Sequence, residues 1–562
     1  MKKNPVKVWA ICLLAAGSLI ACGPQETQTG SLNVIPLPQE VTENPSAAPF
    51  VIKPSTTICY EEGNEKLAST ARLLADYIKE VTGTEVKTGT KAEKNCIILK
   101  VDPSITHKEG YELNVTADAV TLTGATEAGV FYGCQTIHKA LPITEGKALA
   151  SLPAGEVKDF PQYSYRGFMI DVGRHFFPKE YLKELIDVMA LHNINYFHWH
   201  LTEDQGWRIE IKKYPKLTEI GSHRKETITA PGSGKFDGTP VSGYYTQEDA
   251  KEIVAYAAER FITVIPEIDM PGHMLAAVSN YEGVSCFNET GWGSVFSSPV
   301  CPGKDSALEF CKNVYAELIA LFPYKYVHIG GDEVEKTNWK KCPDCQKRMH
   351  DNNLKTEEEL QSWFIHDMER FFNGKGKEMI GWDEIIEGGL SKTATVMWWR
   401  SWVKDAATKA TAQGNPVIFT PNGQFYLDYA EDKNSMASIY NLDTTDNLTP
   451  EQQSLILGVQ GNIWCEWIPS NARMQYMAIP RLLAIAELGW SKPEQKDWNA
   501  FKQRLSDQFE RLNIMGINYR IPDLEGFNAV NAFIGEGTIN VTCLDPTAEI
   551  HYTTDAPYPN IK

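Results

Sequence analysis

Tyr326-Val327-His328-Ile329-Gly330-Gly331-Asp332-Glu333 is the stretch on which the reading of the fold turns. Four residues of largely apolar, strand-favouring character stop at a glycine pair, and two carboxylates follow at once. A short buried strand ended by a tight turn gives this pattern and delivers the polar residues at its mouth. Seven other runs are of the same kind: 166–170, 196–200, 263–268, 379–381, 395–398, 417–420 and 455–459. Helical stretches separate them, and such alternation folds as parallel strands covered by helices. With 326–329 the runs number eight, the count that a closed (β/α)8 TIM barrel needs.

Polar and aromatic residues collect after every run: Asp171; Glu203 and Asp204; Asp269 and His273; Asp332 and Glu333; Trp382 and Asp383; Trp399; Tyr426 and Asp428; Trp464 and Glu466. Barrel enzymes build their active sites at that end of the strands. An open doubly wound sheet would draw a site from one switch point instead. The expectation is therefore an α/β protein whose catalytic barrel spans 159–515.

The chain has 562 residues, more than one core usually organises. Ahead of the barrel, 31–158 reads as a small α/β domain, with an amphipathic helix over 66–81 and strands at 96–101 and 120–122. Pro153 and Lys158-Asp159-Phe160-Pro161 punctuate its end. Beyond 515, the alternation at 538–543 and 548–553 predicts the start of a β module, 516–562, that this chain does not complete.

Lys2, Lys3 and Lys7 precede an apolar run over 8–21, and Leu19-Ile20-Ala21-Cys22 closes it. That is the pattern of an export signal, and the run is short for a membrane span of about 20 residues. The tetrapeptide resembles a bacterial lipoprotein box, which implies cleavage before Cys22, a lipidated sulfur and a membrane contact through the lipid alone. Residues 1–22 are then a lipoprotein signal peptide, 23–30 a tether, and the expected location is the bacterial cell envelope. Removing 1–22 takes the formal charge from −18 to −21, a surface that argues against nucleic acid as a partner.

Twelve cysteines, two of them in the leader, are far too few for a disulfide scaffold. Cys342-Pro343-Asp344-Cys345 has the spacing of half a zinc site, but no second close pair accompanies it. A local disulfide or two quiet thiols is the favoured reading there, and Cys286 with Cys301 could close another loop. No cofactor motif occurs, and neither a cofactor nor a metal is expected.

Adjacent acids in a partly dry pocket raise each other's pKa, so one can remain protonated as a general acid. Hydrolysis of a glycosidic bond needs such an acid. Taken alone, Asp332-Glu333 after a glycine pair would better suit a helix N-terminus. Trp382, Trp398, Trp399 and Trp464, all at strand ends, add the flat walls that pack on a sugar ring.

Six segments in order then carry a resemblance: Arg166-Gly-Phe-Met-Ile-Asp171, His198-Trp-His-Leu-Thr-Glu-Asp-Gln-Gly-Trp-Arg208, Val264-Ile-Pro-Glu-Ile-Asp-Met-Pro-Gly-His273, His328 to Glu333, Gly381-Trp-Asp-Glu384 and Arg481-Leu-Leu-Ala-Ile-Ala-Glu-Leu-Gly-Trp490. Together they resemble the family 20 glycoside hydrolases, the β-N-acetylhexosaminidases, and Val130 to Thr136 is similar to the end of that family's small domain. The resemblance implies an exo-acting enzyme that removes terminal N-acetylglucosamine or N-acetylgalactosamine from glycans. It implies retention with the substrate's own acetamide as nucleophile, an exception to the two-carboxylate scheme. By motif, Glu333 is the acid and then the base, Asp332 accepts the acetamide N–H, and Tyr426 donates to its oxygen. Trp382, Trp399 and Trp464 match the walls, with Trp398 competing for the place of Trp399. Arg166, Asp428 and Glu466 match the hydroxyl-binding groups. Glu203 stands where many members have Asp, and with His273 it would form the relay behind Glu333. Two rivals share the fold: a relative that releases a disaccharide, and a glycan-binding protein without turnover.

Overall fold

The computed structural model describes residues 26–552 except 93, 231–232, 289–298, 432, 527–533 and 535–536. The expected signal peptide with Cys22 and the final residues 553–562 lie outside that range.

Eight strands close into one parallel barrel in chain order. They are β1 (Tyr165–Asp171), β2 (Tyr196–His200), β3 (Thr263–Glu267), β4 (Tyr326–His328), β5 (Glu378–Trp382), β6 (Thr395–Trp398), β7 (Val417–Phe419) and β8 (Ile456–Ile463). Helices α1 (Lys179–Leu191), α2 (Gln247–Ala258), α3 (Asp305–Leu321) and α4 (Glu357–Gly374) follow the first four strands. Helix α5 (Ala406–Ala412) follows β6, and α6 (Arg481–Trp490) follows β8. Apolar spacing explains the outer ring: α1 turns Leu182, Leu185, Ile186 and Met189 inward. Start signals fix the ends, as at α2, where Thr246 and Asp249 form a capping box.

Strand β8 runs four residues past the expected end at Val459. The polar Gln460 and Asn462 end the apolar run, yet their side chains face into the barrel. Gln460 Oε1 accepts the Tyr165 hydroxyl at 2.6 Å, and Gln460 Nε2 donates to Asn462 Oδ1 at 2.9 Å. Parallel strands buried on both faces admit polar residues once these satisfy each other.

The small domain is a seven-stranded mixed sheet ordered 40–43, 155–159, 111–115, 119–124, 96–101, 57–59, 87–89. Its helices are Glu65–Thr82 and Glu127–Ala140. The second is buried almost all round because it lies between this sheet and the barrel. Asp159 ties the two parts together: its carboxylate accepts from the Tyr111 hydroxyl, from Gln39 N and from Trp490 Nε1 at the end of α6.

Two expectations need correction. The predicted tether is structured from its second half, since Thr27–Thr29 pairs in parallel with Leu149–Leu152. Of the predicted β module, the described residues past Ile514 hold no strand, only an isolated bridge between Glu525 and Thr542.

Candidate active site

After β4 the chain turns through Gly330 (φ 72°) and Gly331 (φ 94°). A Cβ on Gly330 would stand 1.8 Å from Asp269 Oδ1, so the turn packs directly on the loop after β3. Glu333 (φ 49°) and, across the gap, His273 (φ 54°) both hold left-handed backbone. Such conformations cost about 1–3 kcal/mol each in a residue with a Cβ and persist where the surroundings impose them, as in active sites.

His273 Nε2 lies 3.8 Å from Asp332 Oδ2 and 3.7 Å from Glu333 Oε2. Its Nδ1 faces Glu203 Oε2 at 3.0 Å. Burial opposes charge on this imidazole, but Glu203 and Asp269 raise its pKa well above the usual value. Glu203 is buried three residues past the end of β2, where burial is overcome by the cations around it, Arg174 at 2.8 Å and His273. Its carboxyl is held far below the usual range. Burial and the charge of Asp332 raise the pKa of Glu333, with His273 and Arg174 opposing. Burial and then Asp332 also push Asp269 well up.

Below this layer Glu267, the last residue of β3, gathers the barrel's inner histidines. Its Oε2 lies 2.6 Å from His200 Nδ1 and 2.8 Å from His198 Nε2, and its Oε1 accepts Trp382 Nε1–H at 2.9 Å. The indole of Trp382 is thereby fixed across the floor, 5.7 Å from the ring of Trp464. Trp399 stacks within 14° of parallel on Tyr426 at 5.9 Å, and Tyr426 lies 6.0 Å from Trp464. Trp399 donates to Glu384 Oε2 at 2.8 Å. Successive strand residues face opposite ways: Trp398 turns outward, donates to the carbonyl of Arg400 at 3.0 Å and packs on Phe419. The choice between the two neighbours therefore falls on Trp399.

Asp428 accepts the backbone N–H of Trp464 at 3.3 Å, and burial together with Glu466 pushes its pKa up to about 8. Glu466 is raised by burial, with Arg174, 3.9 Å away, opposing. The structure thus brings Glu203, His273, Asp332, Glu333, Trp382, Trp399, Tyr426, Asp428, Trp464 and Glu466 to one mouth of the barrel.

Arg166 is the exception. It opens β1 at the opposite end, 1% exposed, and its guanidinium pairs with Glu109 of the small domain at 3.0 Å. The same group donates to the carbonyls of Asn193 and Tyr163 and lies 4.9 Å from the Trp490 ring. Arg166 is a structural tie, and the assignment to substrate is corrected. Arg174, three residues past Asp171, occupies the mouth: it pairs with Asp171 and Glu203 and sits 5.2 Å over the Trp464 ring. Counting past the strand end would have found it. Asp269, expected at this mouth, and Glu384, quoted within a motif, are further site acids to which no role was given; burial and Asp332 push Glu384 well above the ordinary range.

A closed barrel carrying a carboxylate pair, a charged histidine and an aromatic wall at the C-terminal strand ends defines a site of glycoside hydrolase type. The chain belongs to glycosyl hydrolase family 20: residues 163–493 match that family's catalytic domain and residues 31–160 its domain 2. A β-hexosaminidase of Porphyromonas gingivalis is 41% identical over 597 residues, covering 100% of this chain and 74% of the relative. The exo-β-N-acetylglucosaminidase of Vibrio harveyi, solved in complex with N-acetylglucosamine, aligns with a TM-score of 0.79 at 30% identity, covering 89% of this chain and 79% of that one. The β-N-acetylhexosaminidase of Streptomyces coelicolor gives 0.76 at 30% identity, over 88% and 98%.

Proposed function

We propose that this protein is an exo-acting β-N-acetylhexosaminidase that hydrolyses terminal N-acetylhexosamine from glycans with retention, using the acetamide of the sugar as nucleophile. The observation that carries the reading is the adjacent pair Asp332-Glu333, both facing a charged His273 beside Tyr426 and the tryptophan wall. Glu333, with its raised pKa, protonates the leaving oxygen as the acetamide oxygen closes on the anomeric carbon. Asp332 accepts the acetamide N–H and offsets the positive charge of the oxazolinium ion. Tyr426, whose hydroxyl burial and Asp332 keep protonated, donates to the acetamide oxygen and aims it. Glu333, now a carboxylate, takes a proton from the water that opens the ring. Arg174, Asp428 and Glu466 grip hydroxyls of the terminal sugar.

Export with lipidation at Cys22 is part of the proposal and rests on the leader sequence. A Cys22→Ser chain should leave the membrane fraction; retention there would sink the anchor.

Release of chromophore from aryl N-acetyl-β-glucosaminide and galactosaminide tests the activity. Wild type should turn over at least one, with a loss of about two orders of magnitude in Glu333→Gln and inhibition by a thiazoline mimic of the oxazoline. A folded protein that binds the thiazoline yet leaves both sugars intact would replace this reading with the disaccharide-releasing or binding-only one.

A further inference from the structure

Away from the catalytic carboxylates, four buried cysteines meet: Cys286, Cys301, Cys342 and Cys345. Their sulfurs all lie within 4.8 Å of one another. Cys301 Sγ is 3.4 Å from Cys345 Sγ and 3.7 Å from Cys342 Sγ, and Cys286 Sγ is 3.7 Å from Cys345 Sγ. Zinc bound to four thiolates at about 2.3 Å sets sulfurs on the corners of a tetrahedron with edges of about 3.8 Å. A disulfide would bring a pair to about 2.05 Å. Export favours disulfides, but all four cysteines are free, and separations of 3.4–3.7 Å are far longer than a disulfide bond and close to the edge of a zinc–thiolate tetrahedron. Neither the expected pairing of Cys286 with Cys301 nor a bridge from Cys342 to Cys345 is formed.

The surroundings suit a cluster of thiolates. Cys342 caps the helix Pro343–Asp351 and Cys345 lies in its first turn, where unpaired N–H groups favour negative charge. Lys304 donates to the carbonyls of Ser285 and Cys286 and Arg348 to that of Gly303, so two cations border the group. Cys301-Pro302-Gly303 wraps closely on the second loop: a Cβ on Gly303 would stand 2.3 Å from Cys345 N. No side chain but hydrogen fits there, so Gly303 lets the two knuckles of the site close on each other.

We propose that Cys286, Cys301, Cys342 and Cys345 form a structural zinc site that clamps the loop after β3 to the loop after β4. Those loops carry His273 and the Asp332-Glu333 pair. The clamp reaches them through Val300, whose N–H donates to the carbonyl of Pro271 and whose carbonyl accepts Trp339 Nε1–H at 3.1 Å. All four coordination positions are filled by the protein, so the ion has no open position for substrate and its role is to hold geometry.

The test needs no substrate, so its outcome is independent of the proposed hydrolysis. The full chain, purified under argon without chelator, is assayed for metal by plasma mass spectrometry and for thiols by mercurial titration with a zinc dye. About one zinc per chain, released as the mercurial consumes about four thiols, is the expected result. Exchange with Co2+ should give the absorption of a tetrahedral thiolate site. Cys301→Ser and Cys345→Ser should lose most of the metal, and where a variant fails to fold, the wild-type titration decides. A metal-free chain overturns the proposal, whether its intact mass is lower by the hydrogens lost on forming two disulfides or its four thiols alkylate freely without metal release.

Discussion

Replacing Glu203 with Gln removes one buried charge from behind His273 while keeping the shape of the side chain. Glu203 is the neighbour that most raises the affinity of this imidazole for its proton, against the effect of burial. A hydrogen bond to a charged group contributes about 1.5–3 kcal/mol, so its loss lowers the pKa of the histidine. Once neutral, His273 no longer places a cation 3.7 Å from Glu333. Because the Glu333 side chain is 41% exposed, the lost attraction is taken at a water-like dielectric and amounts to about 1 kcal/mol. The pKa of Glu333 then rises, because the lost pull of His273 outweighs the smaller upward push that the Glu203 charge had given it. The free enzyme needs Glu333 protonated, so kcat/KM falls as pH rises through this pKa. The variant's basic limb therefore moves upward. At its optimum kcat/KM should fall by about 10–100-fold, the loss expected for one charge-assisted bond. Profiles of aryl N-acetylglucosaminide hydrolysis for wild type, Glu203→Gln and Glu203→Asp read this directly, with the Asp variant keeping its limb near the wild-type position. A basic limb that stays put or moves down in Glu203→Gln, in a protein that unfolds normally and binds the thiazoline, would refute the coupling.

Four further outcomes follow from the same geometry. Asp332→Asn should lower kcat by about two orders of magnitude while the thiazoline still binds, since the loss falls on developing charge; an unchanged kcat would move that role elsewhere. Tyr426→Phe should cost about 10²-fold in kcat with a smaller change in KM, and a pure KM effect would make the hydroxyl a binding group only. Trp399→Ala should raise KM about tenfold or more, whereas Trp398→Ala should lower the unfolding midpoint and leave KM alone; the reverse would exchange the two walls. Arg166→Met breaks a buried pair and should destabilise the fold by about 3–5 kcal/mol with KM unchanged; a raised KM in a stable protein would return Arg166 to the substrate.

Strand positions were legible because each barrel strand is short, apolar and followed by polar residues that have no reason to sit together except at a common mouth. The eighth strand was cut short because the Gln460–Asn462 bond inside the barrel cannot be seen from the order of residues. Arg166 was misplaced for a related reason: the motif names both ends of β1, and only the three-dimensional strand says that Arg166 opens it and Arg174 lies beyond its exit. The choice between Trp398 and Trp399 needed the phase of β6. The cysteines form the clearest case, since Cys342 and Cys345 are neighbours in sequence while Cys286 and Cys301 stand far from them and from each other.

Asp159 gives the molecule an unexpected seam. This carboxylate closes the last strand of the small domain yet binds Trp490, at the end of α6, and Gln39, near the start of the chain. The two family segments, 31–160 and 163–493, are thus distinct as inherited modules but share one buried anion at their junction. Exchange of either module between relatives, by natural recombination or by a protein engineer, has to keep an indole facing that carboxylate. A chimaera joined between Asp159 and Tyr163 without it would leave Asp159 with the donors of its own module, Tyr111, Gln39 and Phe160, and without the one that crosses the seam, at a cost of about 1.5–3 kcal/mol.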